Sequence, residues 1–120
     1  MHEEALATRR RLLGDNDPKV ALLINSMARI NRDRGDLDEA EILYRQALEI
    51  GGKSLGVEHP IYAITLSNLA GLLGATGRID EAEPLYRQAL AVSEAALGAE
   101  HPNTQTLRGN LDKFLAGRDE

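Results

Sequence analysis

The side chains best suited to proton transfer or metal binding are three histidines, His2, His59 and His101, and two acidic groups, Asp38-Glu39-Ala40-Glu41 and Asp80-Glu81-Ala82-Glu83. An imidazole beside a carboxylate can act as a general base, and a cluster of such groups can hold a divalent ion. The spacing argues against both. His59 and His101 stand 42 residues apart, each directly before a proline, and the two acidic groups are separated by the same 42 residues. A position copied by duplication is a structural position first. His59-Pro60, His101-Pro102 and Asp17-Pro18 have the form of helix starts: the side chain accepts from free first-turn amides, and proline at the first helical position loses no hydrogen bond. The acidic groups fall at the start of amphipathic segments, where negative charge suits the helix dipole. They read as caps, not as catalytic pairs. Cysteine is absent, which excludes a disulfide framework and thiolate chemistry. No Ser–His–Asp order, metal-ligand spacing or phosphate-binding loop stands out. The expectation is a protein that is not an enzyme and carries no cofactor or metal.

The 42-residue spacing extends well beyond the histidines. Between 13–54 and 55–96, 16 of 42 positions are identical, including Leu-Gly, Pro, Gly35/Gly77, Asp-Glu-Ala-Glu and Leu-Tyr-Arg-Gln-Ala-Leu. Leu97-Gly98, His101-Pro102, Asn110 and Leu111 begin a third copy. A period in the range of roughly 20–50 residues marks a repeat array.

Each copy must supply elements that place these residues. Helices are expected over about residues 2–13, from Pro18 to about Arg34, from Asp38 to near Gly51-Gly52, from Pro60 to Gly77, from Asp80 onward and from Pro102 onward, about six in all. Ala40, Leu43, Tyr44, Ala47 and Leu48 fit the i, i+3, i+4, i+7, i+8 template, and Ala82, Leu85, Tyr86, Ala89 and Leu90 repeat it. Asp38, with Glu41 three residues later, reads as a capping arrangement. Pro84 is expected within the first turn of its helix or just past it, where a missing amide costs little. Leu107, Leu111, Phe114 and Leu115 share one face of the last helix, with Gly117 and three charged residues closing the sequence. Nothing alternates with period two, so strands are not expected. The fold class is all-α.

The totals agree. A chain of 120 residues suits one domain, and 42% hydrophobic with 28% charged residues is ordinary for a globular protein. Aromatic residues make up only 3%, so Leu, Ile and Ala must build the core. A net charge of −5 argues against nucleic acid and anionic membrane as partners. No apolar run approaches the roughly 18–20 residues of a membrane span, and the acidic N-terminus does not read as a signal peptide. A cytoplasmic location is expected. Arg9-Arg10-Arg11, beside acidic residues, reads as a solvated helix face.

The small-residue pattern of Ala28/Ala70, Gly35/Gly77, Ala40/Ala82, Tyr44/Tyr86 and Ala47/Ala89 resembles the tetratricopeptide (TPR) signature. That resemblance implies an α-α superhelix of tandem antiparallel helix pairs. The usual TPR period is about 34 residues; the 42-residue unit and the words Leu-Gly-x-x-His-Pro, Asn-Leu-Ala and Asp-Glu-Ala-Glu-Pro-Leu-Tyr-Arg-Gln-Ala-Leu are similar to the repeats of kinesin light chains and their bacterial relatives. The chain would then be a single array: a half unit over 1–12, full units over 13–54 and 55–96, and a terminal capping helix over 97–120. Within these 120 residues the heptad region of the kinesin light chains is not found, so the expectation is a relative rather than a kinesin light chain. Asp17 replaces the histidine, Asn31 stands where Leu73 does, and Gly109 and Asp112 replace an expected Asn and Ala.

The resemblance implies a protein-interaction scaffold in which the first helix of each unit lines a concave groove for an extended peptide. Carried over by position, the candidate peptide-binding residues are Asn25, Arg29 and Arg32 from the first unit, Ser67, Asn68 and Gly71 from the second, and Asn110 and Lys113 from the third. Asn25, Asn68 and Asn110 occupy the columns whose amides hold peptide backbone in that family. An Asn amide both donates and accepts, so it pairs with a peptide bond without reading sequence. The three cations would favour an acidic segment. The three Asn residues also have a plainer reading as solvated polar groups on a helix face, and Arg29, Arg32 and Lys113 as ordinary surface charge. Gly71 and Gly74 either leave room for a ligand or are simply tolerated in the helix. A different class of function is self-assembly, with Ala5, Leu6, Leu12 and Leu13 pairing with another copy as a homodimer.

Overall fold

The computed structural model describes residues 17–118, and among them the secondary structure is five helices with no strand. They are α1 (Pro18–Asp33), α2 (Leu37–Ser54), α3 (Pro60–Ala75), α4 (Ile79–Leu97) and α5 (Pro102–Arg118). The helix expected over 2–13 and the apolar face around Leu6 and Leu12 lie outside the described residues. The chain divides into two compact bodies, one ending at Gly56 and the other beginning at Val57.

The starts of α1, α3 and α5 follow the residues before proline. Asp17 Oδ1 accepts from the Lys19 amide at 2.8 Å. His59 Nδ1 accepts from the Ile61 amide and His101 Nδ1 from the Asn103 amide, both at 3.1 Å. Both repeated histidines are therefore occupied as helix caps, as their common column suggested.

The turns within each pair repeat as closely. After α1 the Gly35 amide donates to the Arg32 carbonyl (3.0 Å) and the Asp36 amide to Asn31 (2.8 Å); after α3, Gly77 donates to Gly74 (3.2 Å) and Arg78 to Leu73 (2.8 Å). Gly35 and Gly77 take φ of +89° and +85°, the left-handed conformation that this cap demands. The same geometry moves the next helix start two residues earlier than the acidic words suggested. Asp36 and Arg78 are the N-caps of α2 and α4, neither with a side-chain capping bond. Asp38 and Asp80 lie inside the first turn, where their charge favours the dipole by about 0.3–1 kcal/mol. Glu41 and Glu83 do not complete capping boxes; they bond Arg45 (3.0 Å) and Arg87 (3.1 Å) one turn on.

In the first body α1 packs against α2, burying Val20, Ile24 and Ala28 against Ala40, Leu43, Tyr44 and Ala47. Full burial of a side chain such as Ile24 contributes roughly 1.5–3 kcal/mol. α2 does not stop at Gly51-Gly52 but continues to Ser54. Ile50 and Gly51 are buried, so packing outweighs the poor helix propensity of the two glycines, and the Leu55 and Gly56 amides close the helix on the Gly51 carbonyl at 2.8 and 3.1 Å.

In the second body α4 packs against both α3 and α5, while α3 and α5 meet over a smaller area. Leu66, Leu69, Ala70 and Leu73 of α3 form the core with Ala82, Ala89, Leu107 and Leu111. A buried hydroxyl pair, Ser93 with Thr104 at 2.7 Å, ties α4 to α5. Pro84 sits at the sixth position of α4, past the turn whose amides are free, so one helical hydrogen bond to the Asp80 carbonyl is lost. The helix tolerates it on an exposed side. α5 continues through Gly117 to Arg118.

Candidate functional site

The second body contains a cavity of about 610 Å³ between α3 and α5. Its helical walls come from regular spacing: Gly71, Gly74 and Ala75 on α3, and Asn110, Lys113, Phe114 and Gly117 on α5. Tyr86 and Ile79 of α4 form the floor with Phe114, and Arg118 closes one end. The Tyr86 and Phe114 rings lie 5.0 Å apart at an interplanar angle of 45°, a tilted contact within the range aromatic pairs favour.

The two glycines shape this cavity by what they lack. A Cβ at Gly71 would stand 3.4 Å from the Tyr86 hydroxyl, and one at Gly74 would stand 3.5 and 3.6 Å from two Phe114 ring carbons. These are contact distances rather than clashes. The missing methyl groups therefore enlarge the cavity above the aromatic floor without being required by backbone conformation. In the first unit the same two columns hold Arg29 and Arg32, which are large and charged.

The rim is polar and carries two cations, Lys113 and Arg118. Arg118 bonds Asp80 Oδ1 at 2.8 Å and Glu83 Oε1 at 3.1 Å, so its charge is already met. Lys113 is exposed and has no ion-pair partner among the described residues. Asn110 Nδ2 donates to the Oγ of the buried Ser67 at 3.4 Å, linking α5 to α3.

Of the residues proposed from sequence, Gly71, Asn110 and Lys113 line this cavity, and Ser67 lies against it through Asn110. Asn68 is half-buried on α3 and is not part of the lining. Asn25, Arg29 and Arg32 belong to α1 in the other body. Arg29 is exposed there, and Arg32 stands 3.6 Å from Asp33. A smaller cavity on α1, of about 410 Å³, is bounded by Lys19, Leu22, Leu23 and Ser26 and includes none of the three. Beneath this helix Tyr44 is fully buried and its hydroxyl has no hydrogen-bond partner among the described residues. Burial raises its pKa above the ordinary 10, against the opposing pull of Arg32 and Arg29.

Sequence reasoning misses Tyr86, Ile79, Phe114, Gly117 and Arg118 as site residues. The aromatic pair has the spacing of packing residues, and the last two read as the end of the chain. Asn110, Lys113, Phe114 and Gly117 do follow i, i+3, i+4, i+7 on one helix, which is the signal that could have found them.

The chain belongs to the tetratricopeptide-repeat family, whose model matches residues 1–53, 20–95 and 61–111. It is similar in structure to a Podosopora anserina protein described as a putative kinesin light chain with nearly identical TPR-like repeats. A crystal structure of a point variant of that protein superposes with a TM-score of 0.79 at 26% identity, over 98% of this chain and 56% of that one. A further crystal structure of the same protein gives a TM-score of 0.77 at 26% identity, again over 98% and 56%. BtubC (BKLC) from P. vanneervenii shares the fold with a TM-score of 0.87 at 24% identity, over 98% of this chain and 46% of that one. The chain thus spans about half the length of the solved structures it matches. No curated protein matches it. Tetratricopeptide repeats generally mediate protein–protein interaction. Among the described residues no helix is long and apolar enough to cross a membrane.

Proposed function

We propose that the chain is a protein-interaction scaffold whose second body binds an extended peptide segment of a partner protein between α3 and α5. The observation that carries this reading is the cavity itself: an aromatic floor, a wall opened by Gly71 and Gly74, and a rim bearing the Asn110 amide and the Lys113 ammonium. An apolar side chain of the ligand would seat on Tyr86 and Phe114. A main-chain group would meet Asn110, and a carboxylate would meet Lys113. The acidic preference in this body rests on Lys113, because Arg118 is neutralised by Asp80 and Glu83. Arg29 and Arg32 are the corresponding cations of the first body.

Binding of this kind needs no catalytic group, and the repeated histidines are taken up as caps. A pool of short random-sequence peptides passed over the immobilised protein tests the reading. The wild type is expected to retain peptides that an Asn110→Ala/Lys113→Ala double variant releases. The same peptides retained to the same extent by both would overturn it.

A further inference from the structure

The hydrogen bond between Ser67 and Asn110 crosses from α3 to α5 at the edge of the cavity. Its two ends differ in environment. Ser67 is 6% exposed, whereas Asn110 is partly exposed and lines the cavity. Asn carries two N–H donors and one carbonyl acceptor, and here an N–H is the part turned towards the serine. Resting on the peptide-groove reading above, we infer that Ser67 is a positioning residue that orients the Asn110 amide so that its carbonyl Oδ1 serves as an acceptor for an N–H of the ligand.

This gives the rim a direction. Lys113, one turn further along α5, can only donate. The pair therefore presents an acceptor and a cationic donor at neighbouring positions, roughly 5–6 Å apart at their Cβ atoms by helical spacing. The complementary group is a main-chain N–H followed within one residue by a carboxylate or carbonyl oxygen. An unoriented Asn amide would pair equally with either polarity of the ligand backbone. A serine-held one has an N–H engaged and its carbonyl turned away from the serine, which favours the N–H of the ligand. Ser67 does this without contacting the ligand.

The test is made on the full chain by nuclear magnetic resonance of the Asn110 side-chain amide, comparing the wild type with Ser67→Ala and Ser67→Thr. The expected result is a loss of the hydrogen-bonded Nδ2 proton shift in Ser67→Ala, its retention in Ser67→Thr, and unchanged backbone signals at Gly35 and Gly77. An unchanged Asn110 amide signal in Ser67→Ala overturns the inference whatever binds. The peptides retained by the wild type are then offered in two forms, unmodified and with N-methylated main-chain amides. N-methylation at the contacted residue and Ser67→Ala should each weaken binding by about tenfold, the effect of one lost hydrogen bond. Peptides that depend on Asn110 but ignore both changes sink the positioning role and leave the groove reading standing. Peptides indifferent to Asn110→Ala sink the groove reading itself.

Discussion

Gly74→Ala separates stability from binding in this protein. Gly74 lies in the last turn of α3, in ordinary right-handed helical backbone, so alanine there relieves the entropic cost of glycine by about 1 kcal/mol. Its methyl would meet the Phe114 ring at 3.5 and 3.6 Å, close enough to gain contact and too far to clash. The position is half-buried, so the methyl adds about half of the roughly 0.8 kcal/mol of a fully buried one. The expected gain is about 1–1.5 kcal/mol, or a rise of about 7–11 °C in melting temperature for a body of this size. Gly71→Ala should gain less, because its methyl would sit 3.4 Å from the Tyr86 hydroxyl. Differential scanning calorimetry of the three proteins measures both effects. The same methyl narrows the cavity, so peptide affinity should fall while stability rises. A Gly74→Ala protein less stable than wild type by about 1 kcal/mol or more would refute this placement of Phe114 against α3, since only a closer approach could produce it.

Two further substitutions probe buried hydroxyls. Tyr44→Phe removes a fully buried hydroxyl that has no partner among the described residues and should stabilise the protein by about 1 kcal/mol in urea unfolding. Because the folded-state pKa of Tyr44 is raised, the wild type should hold its stability below pH 10 and lose some as pH climbs through the folded value, a loss that Tyr44→Phe abolishes. Ser93→Ala leaves the Thr104 hydroxyl buried and alone and should cost about 1–3 kcal/mol, most of which a second change, Thr104→Val, restores.

Much of this fold is legible in one chain because the repeat prints it twice. The caps at Asp17, His59 and His101 and the turns at Gly35 and Gly77 depend on side-chain type at a fixed local offset, and such rules carry over directly from sequence. Sequence alone misplaces the starts of α2 and α4 for a physical reason. Asp38 and Asp80 are good cap residues, but the cap bond of the preceding turn commits Asp36 and Arg78 to that role. Gly51-Gly52 misleads in the opposite direction, since burial of Ile50 and Gly51 outweighs local propensity. The cavity is only partly visible. Gly71, Asn110 and Lys113 follow from their columns, whereas Tyr86 and Phe114 look like core until α3 is seen to lack the methyl groups that would cover them. The Ser67–Asn110 bond joins different columns of adjacent units, 43 residues apart, so no column-by-column reading would pair them.

The most direct test of the peptide-groove account is a residue-resolved magnetic resonance titration of the full chain with peptides captured from the random pool. The account predicts shift changes concentrated at Gly71, Gly74, Tyr86, Asn110 and Lys113, saturating together. Changes confined instead to the exposed surface of α4 around Ala91 and Ala95, or to Ile42 on α2, would contradict it.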